Sequence, residues 1–242
     1  MENHLNSAKR VQEREFHGKG SLDAVRASAF LFDLDGVLID SAPAVHRVWS
    51  KWAIERGLEP GAVVAHVHGR PSLSTIKQFL PNADHSSENN EIERREIDDT
   101  EGIVVLPGAM ELLTSHPTHR WTIATSCTRR LAEARLRAAG LPIPPCIVTA
   151  TDVTRGKPDP EPFLKAAAKL GFPASECVVC EDAPAGVLSG KAAGAHVVAL
   201  RTTFPEAELR AAGADFIVND CADISVTESA GSLELYLKWA NV

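Results

Sequence analysis

Short apolar runs recur along the chain, and each ends in polar or acidic residues: Ala29-Phe30-Leu31-Phe32, Trp121-Thr122-Ile123-Ala124, Cys146-Ile147-Val148, Cys177-Val178-Val179-Cys180, His196-Val197-Val198-Ala199-Leu200 and Asp215-Phe216-Ile217-Val218. They are too short for buried helices and rich in β-formers, so the pattern predicts strands. Between them lie stretches of helical period. Asp159-Pro160 reads as an N-cap followed by proline at the first helical position. Phe163, Leu164, Ala167 and Leu170 then recur at helical spacing up to the stop at Gly171. Thr128 to Ala139 ends at Gly140, and Pro184 to Ala193 ends at Gly194, in the same way. Strand–helix alternation with short links predicts an α/β fold, with a mainly parallel sheet covered on both faces.

One stretch breaks the pattern. From Pro43 to Val105 no strand is predicted. Trp49, Trp52 and Ile54 mark a helix that Gly57 ends, Ser72–Leu80 a second, and the strongly charged Glu88–Asp99 a third. This predicts an all-helical insertion directly after the first strand. Residues 1–26 are charged, without an apolar core segment, and are expected to form a loose tail with some helix, not a secretory signal. The expected division is tail 1–26, core 27–42 and 106–242, and insertion 43–105.

Composition narrows the function. At 242 residues, 44% apolar and 24% charged, the chain is long enough for one core domain plus a smaller insertion and can bury a sizeable core. No apolar run approaches the roughly 18 residues a membrane helix requires. A formal charge of −7 and 5% aromatics argue against nucleic acid as a partner. Five cysteines, an odd number in a chain of this length, read as reduced thiols of a cytoplasmic protein. Cys177 and Cys180 lie three apart in a predicted strand, so their side chains should face opposite sides and pack instead of binding zinc. A monomer is expected.

The polar ends of the strands carry the candidate chemistry. Asp33-Leu34-Asp35-Gly36 closes the first strand, the edge where open α/β sheets bind ligands, although Asp and Gly also favour plain turns. Thr125-Ser126-Cys127-Thr128 closes the second and offers either an anion cradle or ordinary helix capping. Lys157, in the rigid Arg155–Pro160 loop, is either a phosphoryl-neutralising cation or a solvated lysine. Glu181-Asp182 closes the Cys177 strand as a pair of hard-cation ligands or an Asp cap. A parallel sheet brings all of these to one edge. Four carboxylates there need a divalent cation to coexist, and cation, lysine and hydroxyl together suit a phosphoryl group.

In these segments the sequence resembles the haloacid dehalogenase-like phosphohydrolase superfamily. Phe32-Asp33-Leu34-Asp35-Gly36-Val37, Ser126, Lys157 and Glu181-Asp182 match its four motifs over about Ala27 to Asn219. His68-Gly69-Arg70, Gly156–Pro162 and Glu181–Gly186 are similar to the branch that holds glycerol-phosphate, 2-deoxyglucose-6-phosphate and other small sugar-phosphate phosphatases. The resemblance implies a Rossmann-like core with a helical cap. It further implies a Mg²⁺-dependent phosphatase acting on a small sugar or polyol phosphate monoester. Asp33 is then the nucleophile that forms a phospho-aspartate, and Asp35 the general acid and base. Ser126 and Lys157 hold the phosphoryl oxygens. Asp33, Asp35 (usually by its backbone carbonyl) and Asp182 ligate Mg²⁺ with Glu181 close by, and His68 and Arg70 contact the sugar or polyol from the cap.

The nearest alternative is a phosphomutase of the β-phosphoglucomutase kind. Those enzymes carry a histidine ten residues after the second aspartate, where this chain has Val45, with His46 one step out of register. A dehalogenase, which lacks the second aspartate and the metal, and a non-catalytic phosphate-binding protein, which would be expected to have lost a motif, fit less well.

Overall fold

The structure is a computed structural model that describes residues 24–67, 71–229 and 231–238. The elements run β1 (Ala24–Ala27), β2 (Ala29–Phe32), β3 (Ile39–Asp40), α1 (Ala42–Glu55), α2 (Pro60–Val64), α3 (Ser72–Phe79), α4 (His85–Asp98), β4 (Val104–Val105), α5 (Ala109–Thr114), β5 (Trp121–Ala124), α6 (Arg129–Ala138) and β6 (Ile147–Val148). There follow α7 (Glu161–Leu170), β7 (Cys177–Glu181), α8 (Pro184–Ala192), β8 (His196–Leu200), α9 (Glu206–Ala211), β9 (Phe216–Val218), β10 (Ile224–Ser229) and β11 (Ser232–Leu237).

Six strands form a parallel sheet in the order β6-β5-β2-β7-β8-β9. Each apolar run that predicted a strand supplies one of them. All residues of β2, β5 and β7 are buried, as expected of strands covered on both faces. Two apolar clusters flank the sheet. Cys180 packs in one with Phe30, Phe32 and Trp121, while Cys177 packs in the other with Leu31, Val179 and Phe163. The two thiols therefore do face opposite sides, and all five cysteines are free.

Helices α1 to α4 make up the insertion and have an apolar cluster of their own, built on Val48, Trp49, Trp52, Val63, Ile76 and Ile92. The Trp49 and Trp52 rings meet edge to face with centroids 5.4 Å apart. Helix α4 is half-buried or exposed along most of its length, consistent with its charge, and only Ile92 and Glu96 are buried on it.

Three expectations need correction. The N-terminal tail was expected to be loose to residue 26, but Ala24–Ala27 is a strand. It pairs antiparallel with β11, which also pairs with β10, to give an unforeseen three-stranded sheet. Residues 1–23, and with them any helix in the tail, lie outside the described residues. The pattern predicts no strand in the insertion up to Val105, yet Val104–Val105 pairs with Ile39–Asp40 across its two stems. Finally, α7 begins at Glu161 with Pro160 at the cap position. The Asp159 carboxylate still accepts the Glu161 N–H at 3.0 Å, so it serves the helix start from one residue further out.

Candidate active site

Strand register explains why distant acidic residues meet. Phe32 lies opposite Cys180 in the β2–β7 ladder, and the Asp33 N–H continues it to the Cys180 carbonyl at 2.9 Å. Asp33 therefore emerges beside Glu181 and Asp182. Ligand-type oxygens of Asp33, Glu181 and Asp182 lie within 4.8 Å of one another. Lys157 Nζ donates to Asp33 Oδ1 at 2.7 Å and to Glu181 Oε1 at 2.6 Å, and it sits 5.0 Å from the centre of the Phe163 ring.

Two glycines make this approach possible. Gly36 has φ +80°, and a Cβ there would overlap the Asp182 carboxylate; at Gly186 a Cβ would overlap the carboxylate of Glu181. The second carboxylate oxygen of Glu181 accepts the N–H groups of Asp182 and Ala183 at 2.9 and 3.1 Å. Asp182 does not cap α8, whose cap residue is Ala183; its carboxylate takes a side-chain hydrogen bond from Thr203.

Two buried carboxylates and the half-buried Asp33 face one lysine, a formal excess of two negative charges. Burial accordingly pushes the Asp33 carboxyl up to about 7, with Glu181 and Asp35 adding to the rise and Lys157 opposing it. Asp182 is also raised, first by burial and then by Glu181 and Asp33. Burial acts to lower Lys157, but Asp33 and Glu181 outweigh it and hold the ammonium charged. A compact set of hard oxygen donors short of two positive charges fits a divalent cation.

The sign of the Asp33 shift gives a prediction. A carboxyl raised to about 7 from 3.8 favours the folded state when protonated, so its contribution is present at low pH and lost as pH rises from about 4 through 7. In chelator, the wild-type melting temperature should fall by about 5 °C relative to Asp33→Asn between pH 5 and pH 8, and a divalent cation should reverse the loss. Parallel melting curves for the two proteins across that range would contradict it.

Asp35 has a different environment. Its Oδ1 accepts from Ser41 Oγ at 2.6 Å and from Arg135 NH1 at 2.9 Å, and its Oδ2 accepts from Cys127 Sγ at 3.2 Å. Both carboxylate oxygens are thus occupied, and Asp35 stands apart from the grouped oxygens of Asp33, Glu181 and Asp182. Ser126 lines the cavity between β5 and α6. The capping of α6 falls to Thr128, whose hydroxyl accepts the Leu131 N–H at 3.4 Å, so Ser126 is not needed for it.

These groups line one cavity of about 440 Å³ between the sheet edge and the insertion, within the usual range of small-molecule sites. Asp33, Asp35, Ser126, Lys157 and Glu181 line its floor, and the Asp182 carboxylate lies within 4.8 Å of those of Asp33 and Glu181. Val45, Trp49, Ser72, Asn89, Glu93 and Glu96 form the wall contributed by the insertion. Thr128 Oγ1 donates to Glu93 Oε1 at 2.7 Å, and Ser72 Oγ to Asn89 Oδ1 at 2.7 Å. His68 and Arg70 lie outside the described residues, between Val67 and Pro71, which both line the cavity. Arg135, Glu96 and the Asn89–Glu93 face of α4 were not anticipated as site residues.

A parallel sheet whose strand ends gather an acidic trio, a charged lysine and a hydroxyl carries the groups that could hold a metal ion and an anion side by side. The family model of haloacid dehalogenase-like hydrolases matches residues 27–194, and the chain belongs to that family. Hexitol phosphatase A of Escherichia coli is 45% identical over 210 residues, covering 84% of this chain and 96% of that protein. Glycerol-1-phosphate phosphohydrolase 1 of Saccharomyces cerevisiae is 36% identical, covering 85% and 87%. A solved hydrolase from Pseudomonas syringae superposes with a TM-score of 0.71 at 31% identity, over 81% of this chain and 94% of that one.

Proposed function

We propose that the protein is a Mg²⁺-dependent phosphatase that hydrolyses a small polyol or sugar phosphate monoester in the cytoplasm, with the insertion acting as its cap. The observation that carries this reading is the junction of Asp33, Lys157, Glu181 and Asp182 on the floor of a cavity of metabolite size. The similarity to hexitol and glycerol-1-phosphate phosphatases supports the substrate class. So does the polar wall of Ser72, Asn89, Glu93 and Thr128. Hydroxyls of a polyol can donate to and accept from such groups, whereas a second phosphate would meet the Glu93 carboxylate.

In the proposed mechanism the Asp33 carboxylate attacks phosphorus in line, and the phosphoryl group passes to it as the ester bond breaks. Asp35 protonates the departing alkoxide. A water then attacks the phosphorus of the acyl phosphate, Asp35 takes its proton, and inorganic phosphate leaves as Asp33 is restored. Lys157 and Ser126 hold the phosphoryl oxygens throughout. Asp33, Asp182 and the Asp35 carbonyl would hold Mg²⁺, with Glu181 beside them. When bound, the ion offsets the negative charge that otherwise keeps the phosphoryl group from Asp33.

The mutase alternative is disfavoured by Val45. This buried apolar residue lines the cavity at the position where a histidine would be required, while His46 is exposed on the next helical position.

The test is phosphate release from a panel of glycerol, hexitol, hexose and deoxyhexose phosphates, with Mg²⁺ and with chelator. The expected result is release from polyol phosphates that falls at least about 100-fold in chelator. No release from any ester, or release untouched by chelator, would overturn the reading.

A further inference from the structure

Arg135 is the least expected charge in the molecule. It lies on α6 among Leu131, Ala132 and Leu136, on the face turned to the core, and is only 5% exposed. An arginine cannot shed its charge, so a buried one demands anionic partners. Its two partners come from different parts of the fold. NH1 donates to Asp35 Oδ1 at 2.9 Å, and NH2 lies 3.3 Å from Glu96 Oε1 on α4. Glu96 is itself buried and accepts the Trp49 indole N–H of α1 at 3.2 Å. Cys127 completes the cluster, with its sulfur 3.2 Å from both Arg135 NH1 and Asp35 Oδ2. Arg135 Nε is buried with no hydrogen-bond partner among the described residues. The side chain is therefore placed for what its NH1 and NH2 ends reach, not for its own full satisfaction.

We infer that Arg135 is a positioning residue that fixes the Asp35 carboxylate for proton transfer and ties it, through Glu96 and Trp49, to the helical insertion. A surface ion pair would do nothing of this kind, but here the planar fork spans two carboxylates and fixes both distance and direction. Ser41 and Arg135 share Oδ1 of Asp35, so loss of Arg135 leaves Ser41 on that oxygen and the weak thiol donor of Cys127 on the other, and removes the charged donor that restrains the carboxylate. General acid–base catalysis contributes about 10² to 10⁴ in rate, and an ångström of misplacement forfeits much of it. The side chain lines the same cavity, but its NH1 and NH2 reach Asp35, Cys127 and Glu96 and not Ser126 or Lys157, the groups proposed to hold the phosphoryl oxygens, so substrate affinity should be little affected.

This inference rests on the proposed role of Asp35, and the experiment separates the two. Asp35→Asn, Arg135→Met, Arg135→Lys and Glu96→Gln are compared with wild type for kcat, KM and melting temperature, using the best ester of the panel in Mg²⁺. Positioning predicts that Arg135→Met loses about 30- to 1000-fold in kcat with KM within about threefold, that Arg135→Lys recovers part of the loss, and that Glu96→Gln loses about three- to tenfold. Arg135→Met combined with Glu96→Gln should lose less than the product of the single losses, because both act through one carboxylate.

If Asp35→Asn retains wild-type kcat, the acid–base reading itself fails. If Asp35→Asn is crippled while Arg135→Met lowers only the melting temperature, Arg135 is a structural bridge and the inference is overturned. Should Arg135→Met not fold, wild-type kcat in both Arg135→Lys and Glu96→Gln overturns it, and a KM-neutral loss in both supports it.

Discussion

Asp33→Asn is expected to lower turnover by at least about 10⁴-fold while the protein stays folded. Removal of a covalent nucleophile costs that much or more because the remaining groups have no bond to make. The substitution is close to isosteric and removes one of three crowded negative charges. The carboxyl is already raised to about 7 by burial, so the amide replaces a group that the fold holds near its neutral form. In chelator at pH 8 the variant should melt at or above the wild-type temperature. Phosphate release and a melting curve on the same preparation check both halves, and near-wild-type turnover would remove Asp33 from the covalent step.

Lys157→Met is expected to show the opposite combination, a loss of stability as well as rate. The ammonium is 5% exposed and bonds two carboxylates at 2.6 and 2.7 Å. Without it Asp33, Glu181 and Asp182 share a buried space with no fixed cation. Breaking a buried pair by removing one partner costs about 3–5 kcal/mol. Proton uptake by Asp33 and Asp182, both already raised, should soften that to about 3 kcal/mol. For a chain of this size the melting temperature then falls by about 6–12 °C, measured at pH 8 in chelator. Turnover should fall by about 10²- to 10³-fold, the scale seen when a fixed charge on a developing anion is lost. A melting temperature within about 2 °C of wild type would mean that the lysine does not hold the acidic trio together.

Much of this site was legible because its positions are local. A buried parallel strand is a short apolar run, and the residue after it emerges at the ligand edge, so Asp33, Ser126 and Glu181-Asp182 could be placed by counting from β2, β5 and β7. Three of the four described helices of the insertion were legible for a similar reason, since Trp49 and Trp52 mark an inward face, whereas the five-residue α2 was not. What escaped depends on pairing across the chain. β1 is four residues long and acquires its identity from β11, where Ala24 faces Tyr236. β11 did carry a signal, the alternation of Leu233, Leu235 and Leu237 with exposed or half-buried neighbours. β3 and β4 have two residues each and exist only as a pair.

Arg135 and Glu96 were missed because a charge run on a helix reads as a solvated face. The usable sign was the stripe: Arg135 follows Leu131 and Ala132 at helical spacing, and Glu96 follows Ile92 by four, so both stand on apolar faces. A charge in that position needs a buried partner, and here each is the other's.

The central claim is a phosphoryl group carried on Asp33. The direct measurement is acid quench of the enzyme turning over a polyol phosphate labelled in its phosphoryl group, in Mg²⁺, followed by peptide mapping. The account predicts a hydroxylamine-sensitive label on the peptide that contains Asp33, absent from Asp33→Asn. Label on another residue, or full turnover through rapid-quench times with no protein-bound label, would contradict it.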